Sequence, residues 1–256
     1  MVLLRTDVDN IAILTLNRPE LLNSLNTQLG LELERELESI EYSEEVKVVI
    51  LTGTGEKSFS VGGDFKERGK MSDEDWMKQH HLFEKLAKQI RNFPKPIIAA
   101  VNGFALGGGF ELALSSDFIV ASENSKYGLP EVSKGIIPGI GGAQLLSKFL
   151  PKGMALELLF TGRHISATEA HELGIVNHLV PLDKLLDTAI NIANLIAENS
   201  PNAVRLVKRA YLLGSNAPLE EGILIGLECY KQAIVHPDRI EGSRAFLEKR
   251  KPVYLN

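Results

Sequence analysis

The chain has few of the features that direct a protein of 256 residues out of the cell or into a membrane. Cys229 is its only cysteine, so no internal disulfide can form and a reducing cytoplasm is the expected compartment. The apolar start at 1–4 is interrupted by Arg5 and Asp7, well before it reaches the length of a secretory signal core. No apolar run approaches the roughly 18 residues of a membrane-spanning helix. We therefore expect a cytoplasmic protein without a membrane partner.

Positive charge is also scarce. The chain has 28 lysines and arginines against 33 aspartates and glutamates, and its net charge is −5 at pH 7. A protein whose main function is to bind nucleic acid needs a dense basic face. Nucleic acid is therefore not an expected partner.

Three common ligand-binding and catalytic motifs are missing from the sequence. The six histidines show no His-Glu-x-x-His spacing, and neither a Gly-x-Ser-x-Gly elbow nor a phosphate-binding P-loop occurs. No metal site is expected, and a hydrolase triad has no support. The histidines are interpreted as surface or helix-end residues. Trp76 and Phe83 are seven residues apart on one helical face, which indicates core packing first and a ligand-pocket wall second.

Apolar periodicity predicts alternating strands and helices in the first half of the chain. The predicted strands are 2–5, 11–16, 46–51, 97–101 and 118–121, and the predicted helices are 26–42, 72–93 and 108–115, with a glycine-rich loop at 53–63. The predicted helices of the second half are 141–149, 152–160, 167–173, 183–199, 201–213, 218–235 and 238–250, with a short strand at 176–180. Such alternation predicts an α/β fold with a largely parallel sheet.

Gly107–Gly109 precede a helical apolar pattern, and two glutamates follow them. The unpaired amides at a helix start carry partial positive charge and can hold an oxyanion that forms during a reaction. Glu111 and Glu131 beside such a site suggest acid–base chemistry next to a carbonyl. Taken singly, Glu111 could have no role beyond a favourable interaction with the helix dipole, and Glu131 could be a solvated charge in a loop.

Two further glycine-rich loops could contribute amides to the same site. Gly62-Gly63-Asp64 follows a buried strand, at the edge where open α/β sheets bind ligands, although a plain turn is the simpler reading. Gly139 lies in a loop before the next predicted helix and could offer its amide to a bound water or ligand. The spacing of the glycines alone does not distinguish amide donation to a ligand from a purely structural role in a rigid loop.

Several motifs together resemble the crotonase superfamily of enoyl-CoA hydratases and isomerases. They are the segments at 16–19, 23–25, 59–64, 95–103, 107–111, 127–131, 135–142, 174–177 and 246–250, in family order over nearly the whole chain. The resemblance implies a spiral of ββα turns in a core at 1–195 and a helical oligomerisation region at 196–256. It also implies a homotrimer or a dimer of trimers.

By the same resemblance, the Gly63 and Gly108 amides form an oxyanion hole for the thioester oxygen of an acyl-CoA. Glu111 and Glu131 would be the catalytic acids, and the Gly139 amide would help to hold the catalytic water. No metal or separate cofactor is implied, because coenzyme A is part of the substrate. Alanine is frequent in the family where this chain has Gly63. The residues implied to contact coenzyme A are Val61, Gly62, Asp64, Phe65, Lys66, Phe246 and Lys249.

The presence of both glutamates makes the chain most similar to the enoyl-CoA hydratases, because family isomerases commonly retain only the second. The predicted reaction is reversible syn addition of water to a 2-enoyl-CoA, giving a 3-hydroxyacyl-CoA. A dehydratase of a substituted acyl-CoA such as carnitinyl-CoA and an enoyl-CoA isomerase are alternatives. A non-catalytic scaffold or RNA-binding relative is the alternative from a different class.

Overall fold

The computed structural model describes residues 1–255, and its central element is a six-stranded sheet. Its strands, in spatial order, are β1 (Leu3–Val8), β2 (Ile11–Leu16), β3 (Val48–Gly53), β5 (Ile97–Val101), β7 (Phe118–Ser122) and β10 (His178–Val180). Only the β1–β2 hairpin is antiparallel, and every other pair is parallel. The largely parallel sheet predicted from the alternation of elements is confirmed.

The main sheet is covered on both faces, which explains why its strands are almost continuously apolar. Ile11 and Ile13 point to a core that includes Ala189 of helix α8 (Leu185–Ala197). Ala12 and Leu14 point to the other face and join the larger core. Because side chains alternate along a strand, a single apolar run supplies both cores.

A second sheet of four short strands was not predicted. Its strands, in spatial order, are β4 (Ser58–Ser60), β6 (Phe104–Leu106), β8 (Lys126–Gly128) and β9 (Ile165–Ser166). The predicted loop over 53–63 therefore contains a strand at 58–60, and the prediction was wrong for these residues. Strands of two or three residues are too short to show a period in the sequence, and they form because distant segments pair.

The predicted helices are present with shifts of a few residues at their ends. They are α1 (Thr27–Glu41), α2 (Phe65–Arg68), α3 (Asp73–Arg91), α4 (Gly108–Ser115), α5 (Gly142–Leu146), α6 (Lys152–Thr161), α7 (Ala167–Glu172), α8, α9 (Pro201–Gly214), α10 (Leu219–Val235) and α11 (Pro237–Leu247). Only the one-turn helix α2 was not predicted. The side chains of Asn26 and Ser72 cap α1 and α3 by accepting a backbone N–H of the first turn.

The predicted boundary at 195/196 falls inside α8, which packs against the main sheet. The three helices that follow form a helical segment, in which α9 packs along α10. No helix among residues 1–255 is both long enough and apolar enough to cross a membrane. The role of the C-terminal segment in oligomerisation stays a prediction.

Candidate active site

Parallel pairing of β4 with β6 brings two glycine-rich loops to one edge of the second sheet. Ser58 pairs with Phe104 and Ser60 with Ala105, so both strands end at the same place. Each strand is followed within a few residues by two or three glycines. The chain therefore meets itself at 61–63 and 107–109, although these segments are far apart in sequence.

The amides of Gly63 and Gly108 lie next to each other at this edge. Leu25 holds the first loop, because its N–H donates to Gly62 O at 2.8 Å and its carbonyl accepts from Asp64 N at 3.0 Å. An ideal Cβ on Gly108 would lie 3.9 Å from Gly63 N. Within residues 1–255, neither the Gly63 nor the Gly108 N–H donates a hydrogen bond. Two unpaired amides at one point can receive a developing oxyanion.

Two positions of these loops require glycine, because the backbone there has a positive φ and another group lies too close for a side chain. Gly62 has φ +80°, and a Cβ there would lie 2.7 Å from Gly108 N. Gly107 has φ +52°, and a Cβ there would lie 3.0 Å from Oε1 of Glu131. Side chains at either position would be strained and would separate the groups that the loops bring together.

Glu111 lies in the first turn of α4, and the residue is only 2% exposed. Its Oε1 accepts hydrogen bonds from the backbone N–H groups of Ile140 at 2.9 Å and Gly142 at 2.7 Å. Burial raises the pKa of Glu111, while the N–H groups of the 139–142 loop and the charge of Arg91 oppose that rise. The pKa stays raised overall, but these donors limit the rise because they stabilise the ionised form, in which a carboxylate can act as a base.

Glu131 reaches the same site because β6 pairs with β8. Leu106 lies opposite Gly128, and Glu131 follows three residues after that pair. Burial raises the pKa of Glu131 to about 7, and the negative charge of Glu111 adds to the rise. Its buried Oε2 has no hydrogen-bond partner within the described residues. This environment favours the protonated carboxyl group, which can act as an acid.

The two glutamates and both amides line one cavity of about 680 Å³. Its remaining wall is largely apolar and includes Trp76, Met77, Phe83, Ile136 and Ile140. An apolar cavity with a few convergent polar groups is typical of a small-molecule site. It can polarise a carbonyl and move protons on a group bound beside it.

The structure places the other predicted site residues in three settings. Val61, Phe65 and Gly139 line the cavity, and the Gly139 amide is one of those that oppose the rise in the pKa of Glu111. Gly62 and Asp64 belong to the first loop and Lys66 belongs to α2, and none of the three is part of the cavity wall. The Asp64 carboxylate caps α2 and pairs with Arg18 at 2.7 Å.

Phe246 and Lys249 lie at the end of α11 and are exposed. Neither contributes to the cavity wall formed by this single chain. Their contact with coenzyme A stays a prediction. Such a contact would occur at the exposed surface of this chain or at the site of a neighbouring subunit.

Sequence reasoning missed three polar residues of the cavity and ranked two aromatic ones too low. Arg68, His80 and Lys134 all line it, although the histidine was interpreted as a surface residue. Trp76 and Phe83 are wall residues as well as packing residues. The available signal was helical spacing: Trp76, His80 and Phe83 share one face of α3.

A sequence model of the family described as enoyl-CoA hydratase/isomerase matches residues 6–256. The chain is 42% identical to the short-chain-enoyl-CoA hydratase of Clostridium acetobutylicum, over 94% of this chain and 92% of that protein. It is 40% identical to the carnitinyl-CoA dehydratase of Citrobacter koseri, over 94% and 93% of the two chains.

A crystal structure of an enoyl-CoA hydratase from Bacillus anthracis is similar over the whole chain. The TM-score is 0.97 at 41% identity, and the alignment covers 100% of this chain and 99% of the other. The predicted spiral α/β fold with a helical C-terminal region is therefore confirmed. The chain belongs to the enoyl-CoA hydratase/isomerase family, within the crotonase superfamily.

Proposed function

We propose that this protein catalyses the reversible addition of water to a 2-enoyl-CoA, giving a 3-hydroxyacyl-CoA. The observation that carries the proposal is the different environment of two glutamates beside two unpaired amides. Glu111 accepts two backbone hydrogen bonds, whereas Glu131 has a buried oxygen without a partner. Two carboxyl groups whose environments separate their pKa values can divide the acid and base roles of one reaction.

In this proposal the thioester oxygen lies between the amides of Gly63 and Gly108. Their hydrogen bonds draw electron density from the conjugated double bond and stabilise the enolate that forms on attack. Such preorganised donors need no reorganisation during the reaction and are worth about 10²–10³-fold each.

The two glutamates then account for the protons. Glu111 removes a proton from water as the water oxygen bonds to the β-carbon, and the double-bond electrons move toward the thioester oxygen. When the enolate collapses, the α-carbon takes its proton from Glu131. The carboxyl groups end with exchanged protonation states, and proton exchange with solvent restores them. General acid–base assistance of this kind contributes about 10²–10⁴-fold.

The direct test is incubation with crotonyl-CoA in oxygen-labelled water. We expect loss of the conjugated enoyl absorbance and one labelled oxygen in a 3-hydroxybutyryl-CoA product identified by mass spectrometry. Absence of both would refute the proposal. A 3-enoyl-CoA assayed in parallel would reveal isomerase activity, which needs no water.

A matched pair of variants tests the oxyanion hole. Gly108→Pro removes the N–H at the first position of α4, where proline is tolerated. Gly108→Ala keeps the N–H, and its Cβ would make an ordinary contact of 3.4 Å with Leu25. We expect the proline variant to be slower than the alanine variant by about 10²–10³-fold. Equal rates would show that this amide does not contact the reacting oxygen.

Dehydration of a substituted acyl-CoA is the second candidate, because the chain is similar to a carnitinyl-CoA dehydratase. The same groups would catalyse it, since dehydration is hydration in reverse. The two candidates differ in the acyl group that the cavity accepts, so a substrate panel distinguishes them.

A further inference from the structure

Arg68 places a positive charge beside Gly63, in a cavity whose other charged or titratable wall residues are Lys134, His80 and the two glutamates. Its guanidinium lies directly over Gly63, because an ideal Cβ there would be 2.7 Å from both Cζ and Nη1. Even an alanine at position 63 would therefore have to displace the arginine. Glycine at this position leaves room for the guanidinium.

Arg68 is held from one side and left free on the other. Its Nε donates to Oε1 of Gln79 at 2.8 Å, and Gln79 Nε2 in turn donates to Oγ1 of Thr27 at 2.8 Å. The guanidinium carbon lies 4.8 Å from the ring centre of Trp76, within cation–π range. Within residues 1–255, Nη1 and Nη2 donate no hydrogen bond. The end of the side chain is thus oriented and has donors to offer.

The charges around Arg68 make an anionic group on the substrate its natural partner. Burial lowers the pKa of Arg68, and the charges of Glu67 and Glu111 oppose that lowering. Glu67 already accepts from Thr27 N and Gln79 Nε2, and Glu111 from two backbone amides. A carboxylate entering this cavity would be repelled by the glutamates unless a cation received it. Arginine is suited to this task, because its two terminal nitrogens match the two oxygens of a carboxylate.

We infer that Arg68 is a specificity-determining residue that selects 2-enoyl-CoA substrates carrying a carboxylate on the acyl chain beyond the double bond. The inference rests on the proposed hydratase function for the position of the thioester beside Gly63. The same guanidinium disfavours an acyl chain that carries a cation.

Three substrates that differ only in the group on the fourth acyl carbon test this inference. They are glutaconyl-CoA with a carboxylate, 5-methyl-2-hexenoyl-CoA with an isopropyl group, and crotonobetainyl-CoA with a trimethylammonium group. The wild type should have the highest kcat/KM for the carboxylate and the lowest for the cation. In Arg68→Met the ratio of carboxylate to isopropyl kcat/KM should fall by about 10- to 100-fold, as for loss of a hydrogen bond between charged groups. Arg68→Lys should restore part of the ratio.

Arg91→Met is the matched control. Arg91 is a second arginine whose charge opposes the rise in the pKa of Glu111, but it is not part of the cavity wall among the described residues. Its removal should leave the carboxylate-to-isopropyl ratio within about threefold of wild type, since no contact with the acyl group is lost. Circular dichroism checks the fold of each variant, and Arg68→Gln is the second uncharged variant if Arg68→Met unfolds.

Binding of saturated analogues separates this inference from the proposed reaction. Calorimetry should show tighter binding of glutaryl-CoA than of 5-methylhexanoyl-CoA, and Arg68→Met should abolish the difference. If no enoyl substrate is hydrated but this binding preference holds, the hydratase proposal fails and the role of Arg68 stands. An unchanged carboxylate-to-isopropyl ratio in the uncharged variants, or no binding preference in the wild type, would overturn the inference.

Discussion

Replacing Glu131 with glutamine should slow the enzyme and stabilise the fold. The buried Oε2 of Glu131 has no hydrogen-bond partner within residues 1–255, so the substitution breaks no recorded contact of that atom. Glutamine has the same shape but carries no proton that it can deliver to the α-carbon. We expect kcat for hydration to fall by about 10²–10⁴-fold, the range for loss of general acid catalysis.

The stability gain follows from the pKa of this carboxyl group. Burial raises it from an ordinary value of 4.5 to about 7, so the folded protein binds this proton more tightly than the unfolded chain. Stability is then lost as the pH rises from 4.5 to about 7 and stays reduced above that. The shift corresponds to ~3 kcal/mol, which partial solvent exposure reduces to about 2 kcal/mol. Glutamine, which does not ionise, avoids this loss.

Urea unfolding of both proteins at two pH values measures the effect. At a pH of about 8 the variant should be more stable by about 2 kcal/mol, and near the ordinary carboxyl pKa the two proteins should be alike. Hydration by the wild type should also slow as the pH rises through about 7, because the acid loses its proton. Equal stability of the two proteins at the higher pH would show that burial does not raise the pKa of Glu131, and the argument for its role as the acid would fail.

Three further substitutions test the surrounding architecture. Glu111→Gln should slow hydration by about 10²–10⁴-fold. The same variant should still exchange the α-proton of a saturated acyl-CoA with deuterated water, which NMR measures. Loss of this exchange would contradict the division of roles between the two glutamates. Arg18→Met leaves Asp64 buried without its partner and should cost about 3–5 kcal/mol in urea unfolding, whereas Arg163→Met, at an exposed ion pair, should cost less than about 1 kcal/mol. Gly142→Ala would place a Cβ 2.9 Å from Oε1 of Glu111, so kcat should fall with little change in KM, and unchanged kcat would show that the loop yields.

Local signals in the sequence determined most of the helices and the main sheet. The helices predicted to start at 26 and 72 have their N-caps there, because the short polar side chains of Asn26 and Ser72 each satisfy a first-turn amide. The strand at 97–101 was found because a short apolar run between turn residues suits a position buried on both faces. The glycine triplet followed by Glu111 marked a helix start with free amides. Each of these signals lies within one turn or one strand of the residue it concerns.

The second sheet and the cavity depend on contacts that the sequence does not show locally. Strands of two or three residues have no period of their own, and they exist only because parallel partners many residues away provide the hydrogen bonds. That pairing brings Glu131 to Glu111 and the Gly63 amide to the Gly108 amide. The position of Arg68 over Gly63 is likewise set by its contacts with α3.

The sequence by itself determined which residue types this protein has for its chemistry: amide-bearing glycines, two carboxyl groups and an apolar wall. Only the tertiary structure decided what each of them can do. Glu111 and Glu131 are the same residue type with the same ordinary pKa. One receives backbone N–H groups from a loop about thirty residues away in sequence, and the other is buried with an oxygen unpaired. Burial and hydrogen bonding from distant segments give the two carboxyl groups different environments, and neither environment is encoded next to the residue that acquires it.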